Sequence, residues 1–312
     1  MNKLNVVFMG TPDFAVPCLE ELIKAGHEIV GVFTQPDKPV GRKRVMTPPP
    51  VKVCAEKNGI TVYQPDSVRT EESLTLMKEL NPDCVVVVAY GKIIPSEMLK
   101  LPKLGFVNVH GSLLPKYRGA APIQWSIIDG EKKTGVTTMQ MDDGIDTGDM
   151  LEVSETEIGE NETAGELFDR LAEMGGKLIV STLSKLEKGE LTPIPQDHEK
   201  SNYAKIISKE MALIDFNMSA ENVFNLIRGF NPWPIAYTII GDKRLKVFAA
   251  EKIGSVNGKA GEVVSSDGTL TVAFGDGNGL KFTDVQLEGS KRMSATEMLK
   301  GRPIEKGTIL GA

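Results

Sequence analysis

The sequence predicts an α/β fold in which a doubly wound, mostly parallel Rossmann-like sheet is followed by a small C-terminal β-barrel of the OB-like type. In the first half, runs of β-branched residues without polar alternation are separated by amphipathic runs. This is typical of parallel strands that are buried on both faces and joined by helices. Beyond Pro234 the pattern changes to short strands separated by Gly, Asp and Asn turns, which favours a small barrel.

Five strand-like runs make up the predicted parallel sheet: Leu4–Phe8, Glu28–Phe33, Ile60–Tyr63, Cys84–Ala89 and Gly105–His110. Amphipathic runs follow the first of these and recur near residues 51–57 and 71–80. Ligands of a doubly wound sheet bind beyond the C-terminal ends of its strands. The end of the fifth run, at His110, is therefore the first place where we expect a functional side chain.

The second half of the sequence predicts a domain boundary. A long helix is expected over residues 163–188, and the polar, proline-punctuated segment after it predicts a linker. We therefore divide the chain into a catalytic domain at residues 1–188, a linker at 189–204 and an OB-like domain at 205–312. A helix that begins at Ser219 is expected near the start of the last domain.

Composition limits the classes of protein to consider. Of the 312 residues, 41% are apolar and 25% are charged, as in an ordinary soluble globular protein. No apolar run approaches the roughly 20 residues that cross a membrane. Cys18, Cys54 and Cys84 stand apart, without metal-ligand spacing. We therefore expect a reduced, cytoplasmic protein with structural thiols and no metal.

The charge distribution points weakly to a polyanionic partner. The net charge of the whole chain is −6, whereas residues 205–312 alone carry +2. A mildly basic tail on an acidic body is compatible with nucleic-acid binding, although it does not establish it.

Asn108 and His110 form the first candidate site, in the stretch "VNVHGSLLPKYRGAAP". Residues two apart on a strand point to the same face, so both side chains lie together while Val107 and Val109 face a core. Gly111 lets the chain turn sharply after the strand. An amide beside an imidazole can donate two hydrogen bonds to one developing oxyanion. A lone histidine at a strand end is also common as a structural residue, and the residues alone leave that reading open.

An acidic loop, "MDDGIDTGDM", forms the second candidate. It places Asp142, Asp143, Asp146 and Asp149 after another strand-like run. A carboxylate beside His110 would favour the imidazolium and could relay a proton. Taken alone, an acidic, glycine-containing loop is more often a solvated turn, and this one lacks the spacing of an EF-hand calcium loop.

Both stretches resemble the signature of the folate-dependent formyltransferases. In that family an Asn, a His and a distant Asp form the catalytic trio, and the matches to "NVHGSLLPKYRGAAP" and "GIDTGDM" give these roles to Asn108, His110 and Asp146. The resemblance implies 10-formyltetrahydrofolate as the formyl donor. It also implies folate contacts from two segments: "SLLP" (Ser112, Leu113, Leu114, Pro115) and "AYG" (Ala89, Tyr90, Gly91).

Over most of its length the chain resembles the members of this family that formylate the α-amine of methionyl initiator tRNA. Matching stretches include "MGTPDFAVPCLEEL", "VFTQPDKPVGR" and "IRGFNPWPIAY". The resemblance implies that a basic loop with Arg42, Lys43 and Arg44 contacts the tRNA acceptor stem. The candidates for phosphate contacts in the tail are Lys243, Arg244, Lys246, Lys291 and Arg292. We expect a monomer that binds folate and tRNA but no membrane.

Three other functions are weighed as alternatives. A Rossmann dehydrogenase is disfavoured because the turn at Gly10 lacks the second and third glycines of the dinucleotide fingerprint. An RNA-binding module without catalysis would leave the trio unexplained. A relative that formylates an amino-sugar nucleotide or glycinamide ribonucleotide would share the trio, but not the basic loop and the full-length match. His27 and His198 are expected to face solvent and to have no part in the site.

Overall fold

The computed structural model describes residues 3–41 and 43–311. The chain divides into two compact units. The first takes in Met1–Pro122, Lys133–Thr156 and Phe168–Ala204, and the second takes in Ile123–Lys132, Glu157–Leu167 and Lys205–Ala312. Within the described ranges, no helix combines the length and the apolar character needed to span a membrane.

The strands up to residue 204 are β1 (Asn5–Gly10), β2 (Glu28–Phe33), β3 (Lys38–Val40), β4 (Val45–Thr47), β5 (Val62–Tyr63), β6 (Cys84–Val88), β7 (Phe106–His110), β8 (Arg118–Gly119), β9 (Lys133–Gln140), β10 (Met150–Glu157) and β11 (Tyr203–Ala204). The helices over the same range are α1 (Val16–Lys24), α2 (Pro50–Lys57), α3 (Glu71–Leu80), α4 (Ser96–Leu99), α5 (Pro122–Ile128) and α6 (Ala164–Glu187). Local signals set these bounds, as α3 illustrates. The Thr70 side chain caps its first turn, and Asn81 ends it in the left-handed conformation.

Seven strands form the main sheet, in the order β10-β9-β7-β6-β1-β2-β5. The pairings from β5 through β2, β1 and β6 to β7 are parallel, and β9 is antiparallel to β7. The chain leaves β1 toward β2 on one side and returns to β6 on the other. The C-terminal ends of β1 and β6 therefore bound the crevice in which doubly wound sheets bind ligands. The predicted Rossmann-like sheet is confirmed.

An apolar core covers the face of this sheet that carries Phe106. Its buried members are Val7, Met9, Phe33, Val68, Met77, Val85, Val87, Tyr90, Ile94, Met98 and Phe106. On the opposite face Val109 packs beside Gly175 of α6, where an added Cβ would lie 3.0 Å from Cγ1 of the valine. Because side chains alternate along a strand, Asn108 and His110 extend the row that Phe106 begins. On this face of β7, the apolar side chain of Phe106 is therefore followed by the polar side chains of Asn108 and His110 at the end of the strand.

The segment at residues 189–204, expected as a linker, packs within the first unit. Ile194 exchanges two backbone hydrogen bonds with Met150 of β10, at 2.8 and 2.9 Å. β11 pairs in parallel with β8, and Gln196 between these two anchors is only 5% exposed. The backbone of residues 189–204 is therefore hydrogen-bonded to the first unit at two places, β10 and β8.

The second unit is a small antiparallel barrel, as the sequence predicted. Its strands are β12 (Tyr237–Ile240), β13 (Lys243–Ser255), β14 (Val263–Ser265), β15 (Leu270–Ala273), β16 (Asn278–Leu287) and β17 (Met293–Ser294), with helices α7 (Ala220–Gly229) and α8 (Ala295–Gly301). The sheet order is β12-β13-β16-β15-β14, and β17 pairs with β16. The C-terminal segment bridges the two edge strands: Gly311 N–H donates to Ile239 O at 2.9 Å, and Val263 N–H donates to Thr308 O at 2.8 Å. These bonds link the two edges of the sheet through the C-terminal segment.

His27 is buried, so the expectation that it faces solvent is wrong. It is 7% exposed, and its Nδ1 accepts a hydrogen bond from Leu4 N–H at 3.4 Å. Its Nε2 has no hydrogen-bond partner among the described residues. Burial lowers the pKa of His27, and the charge of Glu187 acts in the opposite direction.

We expect the free energy of unfolding to fall as the pH drops below about 6.5, the ordinary pKa of histidine. In that range His27 of the unfolded chain binds a proton, whereas the native ring, whose pKa is lowered, stays neutral. Chemical denaturation between about pH 8 and pH 5 measures the loss. His27→Leu should lose less stability than the wild type over this window, and His198→Gln, at an exposed histidine, should behave as the wild type. Equal losses in the wild type and His27→Leu would contradict the prediction.

Candidate active site

Asn108 and His110 lie side by side at the end of β7, and both are buried, with 8% and 6% of their surface exposed. In the register with β9, His110 stands opposite Thr137. Val107 and Val109 are buried on the other face. The period-two pattern therefore brings an amide and an imidazole together as the sequence predicted.

A main-chain carbonyl orients the ring of His110. Its Nε2 lies 2.8 Å from the carbonyl oxygen of Tyr117. A carbonyl oxygen only accepts hydrogen bonds, so Nε2 carries the proton of the neutral ring. Nδ1 is then the nitrogen that faces the rest of the site and can take up or donate a proton.

Asp146 completes the group. Its Oδ2 lies 3.7 Å from His110 Nδ1, and its Oδ1 accepts a hydrogen bond from Asn108 Nδ2 at 3.4 Å. The backbone N–H of Gly119 donates to the same Oδ2 at 2.8 Å. The side chain of Asp146 is 17% exposed. The three residues expected from the family pattern therefore meet, although Asp146 is remote from the other two along the chain.

The loop that carries Asp146 is shaped by its own polar groups. Asp146 has a φ of 53°, in the left-handed region that aspartate tolerates better than most residues. Asp142 Oδ1 accepts hydrogen bonds from Gly144 N–H at 3.0 Å and from Thr147 Oγ1 at 2.7 Å. Asp143 accepts a hydrogen bond from Ser96 Oγ in α4. Asp142 thus ties the loop to itself, and Asp143 ties it to α4.

This arrangement suits a reaction in which negative charge develops on a carbonyl oxygen. Asn108 has a second N–H beyond the one that bonds Asp146, and His110 presents Nδ1 to the same space. When the His110 ring also carries a proton on Nδ1, two donors lie beside a carboxylate base, and these are the parts of an oxyanion site with proton transfer. Among the residues that the structure describes, no group of three or more His, Cys, Asp or Glu side chains is arranged to hold a metal ion.

The "SLLP" segment lies directly after His110 and is tied to β9. Thr137 Oγ1 donates to Ser112 O at 2.7 Å and accepts from Leu114 N–H at 3.2 Å. The Ser112 hydroxyl donates to the carbonyl oxygen of Lys116, directly after the segment, at 2.7 Å. Leu114 is buried, while Leu113 and Pro115 are partly exposed. Any ligand contact from this segment therefore falls to the partly exposed side chains and the backbone, because the serine hydroxyl is already bonded.

The "AYG" turn follows β6 at the crevice beside β1. Ala89 and Gly91 are exposed and have φ values of 46° and 78°. Tyr90 points into the core, where burial raises the pKa of its phenol to about 12. Its carbonyl oxygen accepts hydrogen bonds from Thr11 Oγ1 at 3.2 Å and Gln35 Nε2 at 3.1 Å. The Tyr90 ring therefore supports the turn, and a ligand in the crevice would meet Ala89 and Gly91.

The basic loop forms the tip of a hairpin between β3 and β4. Lys43 and Arg44 are exposed there; Arg42 lies outside the described residues. Three side chains of the hairpin are large, apolar and largely exposed: Val40, Val45 and Met46. The hairpin thus presents apolar and cationic groups together.

The cations predicted in the second unit differ in their surroundings. Arg244 and Lys291 are exposed, and Lys243 and Lys246 are partly exposed. The guanidinium of Arg244 lies over the ring of Tyr237, 4.2 Å from its centroid. Arg292 is instead paired with Asp284, at 2.5 Å. Arg292 is therefore the one of these five already held by a carboxylate among the described contacts.

Sequence reasoning missed four residues that build the site: Tyr117, Gly119, Thr137 and Gln196. The first two stand in the stretch that carries the family resemblance, but they act through the backbone, which residue type does not reveal. Thr137 contacts the site only because β9 pairs with β7. Gln196 lies in the polar segment expected as a linker and gave no signal.

Family models match both parts of the chain. The model described as "Formyl transferase" matches residues 3–183, and the model described as "Formyl transferase, C-terminal domain" matches residues 206–303. Full-length relatives are also found. The methionyl-tRNA formyltransferase of Alkaliphilus oremlandii is 50% identical over 312 residues, with 99% of this chain and 100% of the relative covered. That of Clostridioides difficile is 49% identical over 311 residues, with 99% and 100% covered.

Solved structures share the fold. The N-formyltransferase of Helicobacter canadensis, solved with folinic acid and dTDP-3-aminofucose, has a TM-score of 0.69 at 20% identity, covering 93% of this chain and 100% of that one. HypX of Aquifex aeolicus, solved with tetrahydrofolic acid, has a TM-score of 0.63 at 17% identity, covering 100% of this chain and 51% of that one. At such identities the likeness concerns the architecture only.

The contact with Tyr117 predicts the tautomer of His110: the neutral ring should carry its proton on Nε2. The chain has only three histidines, so protein labelled with ¹⁵N-histidine should give three ring-nitrogen patterns. The pattern that disappears in His110→Asn belongs to this residue. Nε2 should show the shift of a protonated nitrogen and Nδ1 that of an unprotonated one at alkaline pH. The reverse pattern would show that Tyr117 does not set the ring.

Proposed function

This chain belongs to the formyl transferase family, and from that premise we propose that Asn108, His110 and Asp146 transfer the formyl group of 10-formyltetrahydrofolate to the α-amine of methionyl initiator tRNA. The chain is a formyl-transferring enzyme, and the methionyl-tRNA formyltransferases match it along its whole length. The observation that carries the choice of acceptor is this full-length identity of 50%. The geometry of the trio supports the mechanism.

The nucleophile in this reaction is the amine of the acceptor, so the protein needs no Ser or Cys nucleophile. As the amine attacks the formyl carbon, negative charge develops on the formyl oxygen. Asn108 Nδ2 donates one hydrogen bond to that oxygen, and protonated His110 donates a second from Nδ1. The Tyr117 carbonyl holds the ring through Nε2, at 2.8 Å, while Nδ1 acts.

Asp146 has two tasks in this scheme. Its carboxylate, 3.7 Å from His110 Nδ1, stabilises the positive charge of the ring by Coulomb attraction. It also accepts the proton that the attacking amine must lose, and it returns that proton to N10 of the folate as the bond to the formyl carbon breaks. One proton is thus taken up and one is given back, and the carboxylate is regenerated.

The residues around the trio fit a folate donor. Ala89 and Gly91 are exposed at the crevice between β1 and β6, and the partly exposed Leu113 offers apolar surface beside the trio. A mostly apolar wall with a few backbone polar groups is the usual surroundings of a flat heterocycle. We assign the pterin to this crevice, with its N10 side toward Asn108 and His110.

The acceptor tRNA is assigned to the basic hairpin and to the tail cations. A network at the base of the hairpin fixes where the hairpin begins. Lys52 Nζ bonds both carboxylate oxygens of Asp37, at 2.9 and 3.0 Å, and Gln64 Oε1 at 2.9 Å. Gln64 Nε2 donates in turn to Asp37 Oδ1 at 2.8 Å. These bonds lower the pKa of Asp37, and Asp37 directly precedes β3. The network therefore braces the hairpin leg that leads to Lys43 and Arg44.

One comparison separates this function from its nearest rival. Purified protein is given 10-formyltetrahydrofolate with methionyl initiator tRNA, methionyl elongator tRNA or an amino-sugar nucleotide as the acceptor. Formylation of the initiator tRNA in preference to the other two is expected. Preferential formylation of the sugar would replace the proposed acceptor. We also propose that the enzyme acts in the cytoplasm as a monomer, and light scattering tests its oligomeric state.

Replacing Asn108 or His110 by alanine should lower kcat by about 10²–10³-fold, as the loss of one oxyanion donor typically does. Replacing Asp146 should lower it by about 10²–10⁴-fold, the usual contribution of general acid–base catalysis. The variants are Asn108→Ala, His110→Ala and Asp146→Ala, measured for formyl transfer to methionyl initiator tRNA. Because the catalytic geometry, and not the fold, is lost, circular dichroism should be unchanged. Lys57→Met, at the exposed end of α2, is the control. Near-wild-type turnover of His110→Ala would overturn the mechanism.

Lys52→Met should raise KM for tRNA several-fold at a fixed salt concentration while KM for the folate and kcat change little. The substitution removes the brace of the hairpin but no group of the trio. Because contacts between cations and phosphates weaken with salt, the difference from the wild type should shrink as salt is added. Lys57→Met removes a charge from the same helix without touching the network, and it should leave all three constants unchanged. An equal rise of KM in both variants would show that charge, and not the brace, matters.

A further inference from the structure

The carboxamide of Gln196 joins two segments of the site. One is the loop that carries Asp146, and the other is the Tyr117–Gly119 segment, which contacts both His110 and Asp146. Its Nε2 donates to the carbonyl oxygens of Asp146, at 2.9 Å, and Gly148, at 2.7 Å. Its Oε1 accepts from Nε and Nη2 of Arg118, at 3.0 and 2.7 Å. One side chain, 5% exposed, therefore ties the Asp146 loop to the Arg118 segment.

Arg118 is itself buried, at 8% exposed. Its guanidinium donates to Gln196 and, through Nη1, to His198 Nδ1 at 3.1 Å. The hydrogen bonds described for this side chain thus go to an amide and an imidazole, without a carboxylate partner for the charge. Burying an arginine in this way is costly, so its presence beside the trio calls for a task other than stability.

The two joined segments share a task that no single one performs. Tyr117, next to Arg118, holds His110 through its carbonyl, and Gly119, on the other side, holds Asp146 through its N–H. Tyr117 has a φ of 60°, a left-handed conformation that a bulky residue rarely adopts unless its surroundings impose it. Gln196 bonds the backbone at Asp146 directly, and Arg118 lies between the other two contacts.

We propose that Gln196 and Arg118 are positioning residues that clamp the Asp146 loop to the Tyr117–Gly119 segment, so that the carboxylate of Asp146 and Nδ1 of His110 keep the distance that formyl transfer requires. The clamp touches neither the formyl donor nor the acceptor, and it acts through Asp146. It rests on the proposed function for its effect on rate, but its effect on geometry is independent of it.

Substitutions of Gln196 separate the two halves of the clamp. Gln196→Leu removes both. Gln196→Glu keeps an oxygen for Arg118 but turns the donor that faces the carbonyls of Asp146 and Gly148 into an acceptor. Both should lower kcat by about tenfold to a hundredfold, since small misplacements of catalytic groups cost rates of this order, with KM for folate and tRNA within about twofold. Arg118→Lys, which lacks the planar fork, should lose about as much. Glu199→Gln, at an exposed position of the same segment, is the matched control and should keep the wild-type rate.

A double-mutant cycle distinguishes a clamp that acts through Asp146 from a general structural role. In an Asp146→Asn background, Gln196→Leu should have no further effect on kcat, although any loss of thermal stability should be the same in both backgrounds. An equal loss of rate in both backgrounds would overturn the proposal. So would a Gln196→Glu variant with wild-type kcat.

The ring nitrogens of His110 give a readout that does not depend on activity. In protein labelled with ¹⁵N-histidine, Gln196→Leu should shift the Nδ1 resonance of His110, while the resonances of His27, remote in sequence and buried elsewhere, should stay in place. An unmoved His110 resonance would overturn the clamp whether or not formyl transfer occurs. Conversely, wild-type protein that formylates no tRNA would refute the proposed function and leave the test of the clamp intact.

Discussion

The rest of the site depends on the contacts that the carboxylate of Asp146 makes. It faces Asn108 and His110, and it is anchored by the N–H of Gly119 at 2.8 Å. Its distances to Asn108 Nδ2 and His110 Nδ1, 3.4 and 3.7 Å, are long, so these two contacts are weak. The hydrogen bond from Gly119 is therefore short and fixes the carboxylate. The contacts with Asn108 and His110 are long, so a substrate oxygen can replace the carboxylate as their partner. Catalytic hydrogen bonds commonly tighten only when the substrate is bound.

Local patterns predicted the parts of the site that local geometry determines. Asn108 and His110 were found because strand side chains alternate and because the strand ends at Gly111. Asp146 was found only by family resemblance, since nothing in a loop's composition says where its tip will lie. Tyr117 acts through a carbonyl that every residue possesses. Gln196 acts through a carboxamide whose partners come from distant segments. Those two contacts exist only once the sheet has formed.

Residues 189–204 and His27 both make hydrogen bonds that their local sequence does not indicate, and for the same reason. Residues 189–204 are polar and rich in proline, which predicts exposure, yet the edges of β10 and β8 offer unpaired backbone groups that Ile194 and Tyr203–Ala204 satisfy. His27 lies in a short turn, yet its ring is buried and accepts a hydrogen bond from the N–H of Leu4. Tertiary hydrogen bonding outweighed local polarity at both places. The fold class survived because it rests on many strands, and no single residue decides it.

The choice of acceptor is a separate problem from the chemistry. In the proposed mechanism Asn108, His110 and Asp146 contact only the formyl group of the donor and the amine of the acceptor. Because any amine acceptor supplies such an amine, the trio does not distinguish a tRNA from a sugar. Discrimination requires contacts with parts of the acceptor that do not react. The proposed function assigns those contacts to the cationic hairpin between β3 and β4, and Lys52 at the base of this hairpin bonds Asp37 at 2.9 and 3.0 Å. A hairpin that is held at its base and exposed at its tip can bind a large polyanion without disturbing the trio. Under the proposed function, binding energy from the remote part of the acceptor serves to place its amine beside the formyl carbon.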